Sequence, residues 1–103
     1  MDNKIKLYAN SLEKLKDFLL RFLKDEDVKI VLFGSRARGE YVSTSDVDIG
    51  IIMGKNADKK KLTLLRESID GLNIPYKVEI VDFSTVSEEF RKMALKEAVV
   101  WKG

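Results

Sequence analysis

Apolar residues near the start of the chain recur every three or four positions, with polar residues between them. This spacing places the apolar side chains on one face of a helix, and it predicts a first helix over residues 3–24. The residues on this face are Tyr8, Leu12, Leu15, Leu19 and Phe22. The acidic residues 25–27 interrupt the pattern and end the helix.

Three shorter apolar runs follow, each rich in β-branched residues and too short for a buried helix. They predict strands over residues 28–33, 47–53 and 76–83. Between the first two strands, residues 35–39 are expected to form a short helical turn and residues 40–45 a loop. This connection is too short for a parallel crossover, so the pattern favours antiparallel or offset pairing of the first two strands.

Two further helices are predicted in the second half of the chain. The first covers residues 57–72 and has Asn56 or Asp58 as its cap. The second covers residues 85–101, because a sequence with the spacing of a capping box opens at Thr85. Its predicted inward-facing residues are Phe90, Met93, Ala94 and Trp101.

This order of elements predicts a small α/β (α+β) domain in which helices pack on a mixed sheet of three or more strands. The chain has 103 residues, a length that is typical of one domain with one hydrophobic core. We therefore expect residues 1–103 to form a single domain.

Composition and charge exclude several classes of protein. The formal net charge of +2, from 19 basic and 17 acidic residues, is too balanced for a strong nucleic-acid binder. Cysteine and histidine are both absent, which excludes disulfides, thiolate chemistry, a Ser-His-Asp triad and the usual zinc ligands. No apolar run approaches the roughly 20 residues that span a bilayer, and no signal peptide is evident, so we expect no membrane association and a cytoplasmic location.

Two aspartates at the start of the second strand are the first candidates for chemistry. Asp46 and Asp48 are two residues apart, so in a strand they project from the same face. Two adjacent carboxylates repel each other, and a divalent cation relieves that repulsion. Without histidine or cysteine, oxygen ligands favour Mg²⁺ or Mn²⁺. The alternative is that both residues face solvent, although the apolar run after Asp48 is typical of a covered strand.

A Gly-Ser turn at the end of the first strand is the second candidate. Gly34 allows close approach of the backbone to an anion, and Ser35 adds a hydroxyl donor. This pattern fits the seat of nucleotide phosphates, but an ordinary strand-to-helix turn would look the same. Arg36 and Arg38 could neutralise phosphate charge. Being two apart on a turn, they are not both expected to face the site, and either could contact a partner instead.

Together these features form a more specific pattern: Gly34-Ser35, ten residues, then Asp46-Val47-Asp48. The pattern resembles the signature of the DNA polymerase β-like nucleotidyltransferase superfamily. Over essentially its whole length the chain is similar to the minimal nucleotidyltransferases (MNTs), the small stand-alone members of that superfamily. The resemblance implies a polymerase β palm-like fold and a third carboxylate on the strand after the next helix.

Glu79 takes that third position by register, where the family usually carries aspartate. The longer side chain could preserve metal binding but degrade its geometry, and Glu79 could also be an ordinary exposed strand residue. Asp82 lies on the opposite face of a regular strand and is the second choice as metal ligand. The implied catalytic and metal-binding residues are Asp46, Asp48 and Glu79, and the implied nucleotide- or phosphate-binding residues are Gly34, Ser35, Arg36, Arg38 and Ser45.

The resemblance also implies a reaction, the two-metal transfer of AMP from ATP to a hydroxyl group. Family members are commonly paired with HEPN-domain toxins and modify a tyrosine on them. We therefore expect an antitoxin of a type VII-like toxin–antitoxin module, with a HEPN protein as partner and assembly into homo- or hetero-oligomers. A catalytically weak or inactive module that neutralises or scaffolds the HEPN protein is the alternative. Transfer to a small molecule or an RNA end is less favoured.

Overall fold

The computed structural model describes residues 3–40 and 45–103. Within these residues helices and strands alternate from the first element to the last. In chain order they are α1 (Asn3–Phe22), β1 (Val28–Phe33), α2 (Ser35–Arg38), β2 (Val47–Met53), α3 (Lys59–Asp70), β3 (Val78–Asp82), α4 (Glu88–Lys96) and β4 (Val99–Lys102). The side chain of Tyr8 and residues 41–44 of the predicted loop lie outside the described part.

The strands form one mixed sheet in the order β3-β2-β1-β4, which confirms the predicted fold class. β1 runs antiparallel to β2, as its short connection suggests, and also to β4. β2 runs parallel to β3. The register pairs Phe33 with Asp48, and Asp48 with Glu79. The end of β1 and the starts of β2 and β3 therefore lie side by side at one end of the sheet.

One face of the sheet carries most of the hydrophobic core. The helices α1 and α3 cover this face. Helix α1 does so with the residues that its spacing predicted, among them Leu15 and Leu19, and α3 with Leu62, Leu65 and Ile69. They pack on strand residues that point to the same side, namely Ile30, Leu32, Val47, Ile49, Ile51 and Ile80. Full burial of one such aliphatic side chain stabilises a fold by roughly 1.5–3 kcal/mol. We refer to this side as the core face.

The opposite side, which we call the α4 face, is covered more thinly. Its buried residues are Val31, Phe33 and Phe83, with Ala94 and Leu95 of α4 half-buried against them. Helix α4 itself contains no buried residue. The ring of Phe90 stands edge-on to those of Phe33 and Phe83, with centroid separations of 6.0 and 6.3 Å. Aromatic edge contacts of this kind add to the stabilisation from burial.

The predicted last helix is wrong at its C-terminal end. Helix α4 ends at Lys96, and the strand β4 follows it and pairs with β1. The β-branched and aromatic residues of β4 favour a strand, and β1 offers it an open edge. Of the predicted inward residues, Phe90 and Met93 are exposed, and Trp101 lies half-buried on β4.

The helix caps refine two further predictions. Asp58 caps α3, since its carboxylate accepts from the Lys60 N–H at 2.9 Å. Helix α4 is capped by Ser87, whose hydroxyl oxygen accepts from the Phe90 N–H at 3.1 Å, and not by Thr85. The Thr85 hydroxyl instead donates to the carbonyl of Asp82 at 2.8 Å. Both caps satisfy N–H groups that a helix start leaves unpaired.

Strand β4 also ties down the end of the first helix. The Nζ of Lys102 donates to the carbonyl oxygens of Leu23 and Glu26, at 2.9 and 2.7 Å. These carbonyls lie just beyond the C-terminal end of α1, where a helix favours positive charge. No helix in the described part of the chain is long and apolar enough to cross a membrane.

Candidate active site

Asp46 and Asp48 lie at the start of β2, on the α4 face of the sheet. Val47 between them is fully buried in the core face, so strand alternation directs both carboxylates to the other side of the sheet. Asp46 is exposed, whereas Asp48 is half-buried. The predicted pair therefore lies on one face, with Asp48 as its deeper member.

Gly34 packs directly against the inner carboxylate. Its φ of +77° lies in the left-handed region that side chains rarely adopt. A Cβ added at Gly34 would also collide with Oδ2 of Asp48. Two independent constraints thus require glycine here, and the second one joins the Gly-Ser turn to the aspartate pair as one unit.

Arg36 does not face this unit. Its side chain is buried, and its Nη2 and Nε donate to the carbonyl oxygen of Ser45 at 2.9 and 3.3 Å. Its guanidinium also lies over the ring of Tyr76, 4.6 Å from the centroid. In this structure the Arg36 side chain fixes the entry to β2, and its role in phosphate binding stays a prediction. The half-buried Ser45 contributes its carbonyl to that contact.

Arg38 is the arginine that reaches the site. Its Nε lies 3.2 Å from Oε2 of Glu40 and 3.7 Å from Oε2 of Glu97 on α4. These ion pairs are solvent-exposed, and such pairs contribute little to stability and exchange readily. Arg38 can therefore leave its carboxylate partners when a more highly charged anion arrives. The half-buried Ser35 opens the short helix α2 that carries Arg38.

Glu79 is placed beside Asp48 by the pairing of β2 with β3. Its exposed carboxylate forms an ion pair with Lys77, with Nζ and Oε2 3.4 Å apart. Among the described residues, no three acidic side chains converge closely enough to hold a metal ion. The predicted third carboxylate is thus next to the aspartate pair but turned towards a lysine.

Asp82, the second choice for the third carboxylate, has a different role. It is buried, and its Oδ1 accepts from the N–H of Ser84 at 2.9 Å and from the Ser84 hydroxyl at 2.7 Å. By strand alternation it shares a face with Ile80 in the core and not with Glu79. Asp82 shapes the turn after β3.

The electrostatics of Asp48 show that the carboxylates act on one another. Burial raises the pKa of the Asp48 carboxyl above its ordinary value of 3.8, and the negative charges of Glu79 and Asp46 raise it further. The Arg38 guanidinium lowers the same pKa. Ionised Asp48 is therefore destabilised in the free protein, and a nearby cation would relieve this cost.

This donor set fits a hard divalent cation in its chemistry. Its candidate ligands are all oxygen atoms, as Mg²⁺ prefers, and Asp46 and Asp48 share a face at mutually repulsive range. Glu79 would have to turn away from Lys77 to join them. The chemistry of Asp46 and Asp48 thus suits such a cation, whereas Glu79 can join them only after it has turned away from Lys77.

A cleft of about 280 Å³ opens beside Asp48. One side consists of predicted site residues, and the other consists of residues from α4. Its lining is Phe33, Gly34, Arg38, Asp48, Phe90, Met93, Ala94 and Glu97. Two larger depressions, of about 440 and 540 Å³, contain none of the predicted site residues.

The sequence did not predict the residues that form the α4 side of this cleft, which we call the α4 wall. Phe90, Met93, Ala94 and Glu97 recur at helical spacing, so the signal that they share a face was present. The same signal is typical of a core-facing stripe. Only the packing of α4 shows that this stripe stands beside the carboxylates.

Solved structures share this architecture. One protein assigned as a minimal nucleotidyltransferase matches with a TM-score of 0.69 and 24% identity, over 87% of this chain and 92% of that one. The MNT antitoxin complex with a tri-AMPylated HEPN toxin from Shewanella oneidensis matches with a TM-score of 0.60 and 19% identity, over 88% of this chain and 71% of the matched chain. At these identities the similarity shows the fold.

Sequence comparison shows the family. The "Probable protein adenylyltransferase MntA" of Haemophilus influenzae is 34% identical over 74 residues, which are 72% of this chain and 65% of that protein. The matched region thus spans just under two thirds of the curated relative. The model of the family described as "Polymerase beta, Nucleotidyltransferase" matches residues 13–102. Because that match covers nearly the whole chain and includes every residue of the candidate site, the protein belongs to the polymerase beta nucleotidyltransferase family.

Proposed function

We propose that this protein transfers AMP from ATP to a hydroxyl group of a partner protein. The observation that carries the proposal is the packing of Gly34 against the Asp48 carboxylate. It puts the Gly-Ser turn, which suits phosphates, in contact with a carboxylate pair that suits a divalent cation. Family membership gives the reaction class, nucleotidyl transfer.

The acceptor we propose is a tyrosine of a HEPN-domain toxin, so that the protein acts as an antitoxin. The related H. influenzae protein is named a protein adenylyltransferase. The similar structure from S. oneidensis is an MNT antitoxin bound to an AMPylated HEPN toxin. A hetero-oligomer with such a toxin would bring the acceptor hydroxyl to the exposed end of the sheet where Asp46 and Glu79 lie.

The chemistry follows from the placement of these groups. Gly34 and Ser35 bind the β and γ phosphates through N–H and hydroxyl donors, and Arg38 exchanges its exposed carboxylate partners for the same phosphates. Asp46, Asp48 and Glu79 would hold Mg²⁺ or Mn²⁺, which would supply positive charge that stabilises the triphosphate and acidifies the acceptor. In this way the three carboxylates would orient the α phosphate for attack.

In the transfer step, the tyrosine oxygen forms a bond to the α phosphorus. The bond from the α phosphorus to the oxygen that bridges to the β phosphate breaks, and pyrophosphate leaves with that electron pair. Glu79, once released from Lys77, accepts the phenolic proton. The product is a phosphodiester between tyrosine and AMP.

The test uses the purified protein, ATP, Mg²⁺ and the product of the neighbouring gene, which the proposal expects to be a HEPN protein. Intact mass spectrometry should show the gain of one or more AMP groups on the HEPN protein. Asp48→Asn should abolish the gain, whereas Asp70→Asn, which changes an exposed aspartate on α3, should leave it intact. A HEPN protein that binds but gains no mass would contradict the proposal.

The second candidate is a binding module that neutralises the HEPN protein without catalysis. Its support is the ion pair that holds Glu79 to Lys77, together with the lack of a converged three-carboxylate group among the described residues. The two candidates separate in cells that express the toxin. If Asp48→Asn still protects such cells fully, binding alone is the antitoxin activity.

A further inference from the structure

Helix α4 presents two large apolar side chains, Phe90 and Met93, to the cleft. Phe90 is 44% exposed and Met93 is 77% exposed, although both lie on the helix face that a sequence pattern assigns to the interior. Both line the cleft beside Asp48, together with Gly34 and Arg38. A wall of apolar groups opposite a few charged groups is typical of a small-molecule site.

The position of the cleft in the sheet indicates which part of the reaction it serves. The strand order β3-β2-β1-β4 places Glu79 on one side of Asp48 and Gly34 on the other. The cleft is lined from the Gly34 side, by the end of β1 and by Arg38, and receives no residue from β3. An acceptor activated by Glu79 approaches from the other side, since entering and leaving groups lie in line across the phosphorus.

The ring of Phe90 is held in place by two aromatic neighbours on the sheet side. Its ring packs edge-on against Phe33 and Phe83, with interplanar angles of 89° in both contacts. A ring fixed by its neighbours loses little conformational freedom when a ligand stacks on it. The exposed part of Phe90 is therefore a prepared surface for a flat group.

We propose that Phe90 and Met93 form the nucleobase wall of the nucleotide cleft. This inference rests on the proposed function, since it assumes that nucleotide phosphates bind at Gly34 and Arg38. The base stacks on the Phe90 ring, and the Met93 thioether contacts its edge, as sulfur does with aromatic rings. The cleft volume of about 280 Å³ is near the lower limit of about 300 Å³ for ligand sites, so it accommodates one such group.

The composition of this wall predicts which nucleotides bind best. The strength of stacking depends on the area of the base and little on which base it is. Among the residues that the structure describes, the polar side chains that line the cleft are Arg38, Asp48 and Glu97, and all are charged. The cleft should therefore favour purine over pyrimidine nucleotides and discriminate weakly between ATP and GTP.

The experiment measures binding, without an acceptor, of a non-hydrolysable ATP analogue and of inorganic tripolyphosphate in the presence of Mg²⁺. The variants are Phe90→Leu, which retains much of the packing but has no ring, and Met93→Ala at a side chain with little burial. The control is Leu64→Ala, a change at an exposed apolar residue on α3. We expect Phe90→Leu to weaken binding of the analogue by about 5- to 150-fold and Met93→Ala to weaken it less.

Tripolyphosphate binding should be unchanged in both variants, because tripolyphosphate has no base. Equal loss of analogue and tripolyphosphate, or no loss of either, would overturn the inference, as would stronger binding of pyrimidine than of purine nucleotides. Loss of HEPN binding with unchanged nucleotide binding would also overturn it and make this wall a protein interface. Nucleotide binding that depends on Phe90, without transfer to the HEPN protein, would retain the inference and reject the proposed acceptor.

Discussion

The two faces of the sheet differ in what covers them, and the difference separates stability from chemistry. On the core face, α1 and α3 bury a continuous aliphatic cluster between helix and sheet. On the α4 face the buried apolar cluster of the described residues is limited to Val31, Phe33 and Phe83, under a helix without a buried residue of its own. The carboxylates lie on this second face.

The physical reason is the cost of burying charge. Asp48 is already partly desolvated and repelled by its acidic neighbours, and a thicker cover would raise that cost further. The α4 face therefore leaves room for water, a cation and a ligand beside the aspartates. The core face supplies the stability that the α4 face does not, a division that is typical of domains with a polar site.

Asp48→Asn is expected to have the largest effect, a loss of activity without a loss of stability. Loss of the inner carboxylate should reduce AMP transfer by at least about a hundredfold. The fold should not weaken, because the change removes a charge that burial and repulsion disfavour. Transfer assays and thermal unfolding of the same sample test both statements. A variant that lost stability along with activity would show that the α4 face is also structural.

Leu19→Ala tests the contribution of the core face to stability. Leu19 is fully buried, so the truncation should lower the free energy of unfolding by about 2–5 kcal/mol. The matched change Leu95→Ala on the α4 face involves a half-buried side chain and should cost distinctly less. Urea unfolding measures both. Equal losses would remove the distinction between the faces.

Gly34→Ala and Gly39→Ala separate backbone strain from contact with the site. Gly39 has the left-handed helical conformation, with φ +75° and ψ 9°, so Gly39→Ala should cost about 1–2 kcal/mol of stability. Gly34, with φ +77° and ψ −157°, lies in a region that is essentially restricted to glycine, and its new Cβ would also collide with the Asp48 carboxylate. We expect a larger loss of unfolding free energy in Gly34→Ala than in Gly39→Ala, and loss of transfer in Gly34→Ala alone. An active Gly34→Ala protein would mean that Asp48 can move without consequence.

The smallest expected effect is a pH dependence of stability in metal-free protein. The pKa of Asp48 is raised in the folded state above its ordinary 3.8, so the folded state holds this proton more tightly than the unfolded state does. Stability from this group is full below the unfolded pKa and is lost as pH rises through the folded pKa. Asp48→Asn should therefore exceed the native protein in stability at pH 7, and the difference should vanish below about pH 4. Melting temperatures across this range provide the measurement.

Sequence reasoning succeeded where the pattern was local. The spacing of Leu15 and Leu19 predicted the buried face of α1, and the alternation at Asp46 and Asp48 placed both carboxylates on one side of β2. These features depend on residues a few positions apart. The antiparallel pairing of β1 with β2 followed from the length of one connection.

The features it missed depend on distant partners. The contact of the Arg36 guanidinium with the ring of Tyr76, forty positions further along, was not predicted. Strand β4 looked like the continuation of a helix because its pairing partner β1 is remote in sequence. The α4 wall was missed for the same reason. The sequence pattern of the apolar stripe with Phe90 is identical whether the stripe faces a core or a cleft.

The contacts of Lys102 make the folding of the chain depend on its last strand. Its Nζ binds carbonyls 79 and 76 positions earlier, so the end of α1 is completed only after a very long loop has closed. Until β4 docks, one edge of β1 exposes unpaired backbone groups beside apolar side chains. Detachment of β4 is therefore the event most apt to start aggregation through strand addition, and conditions that stabilise this short strand should improve the solubility of the protein more than further burial in the core.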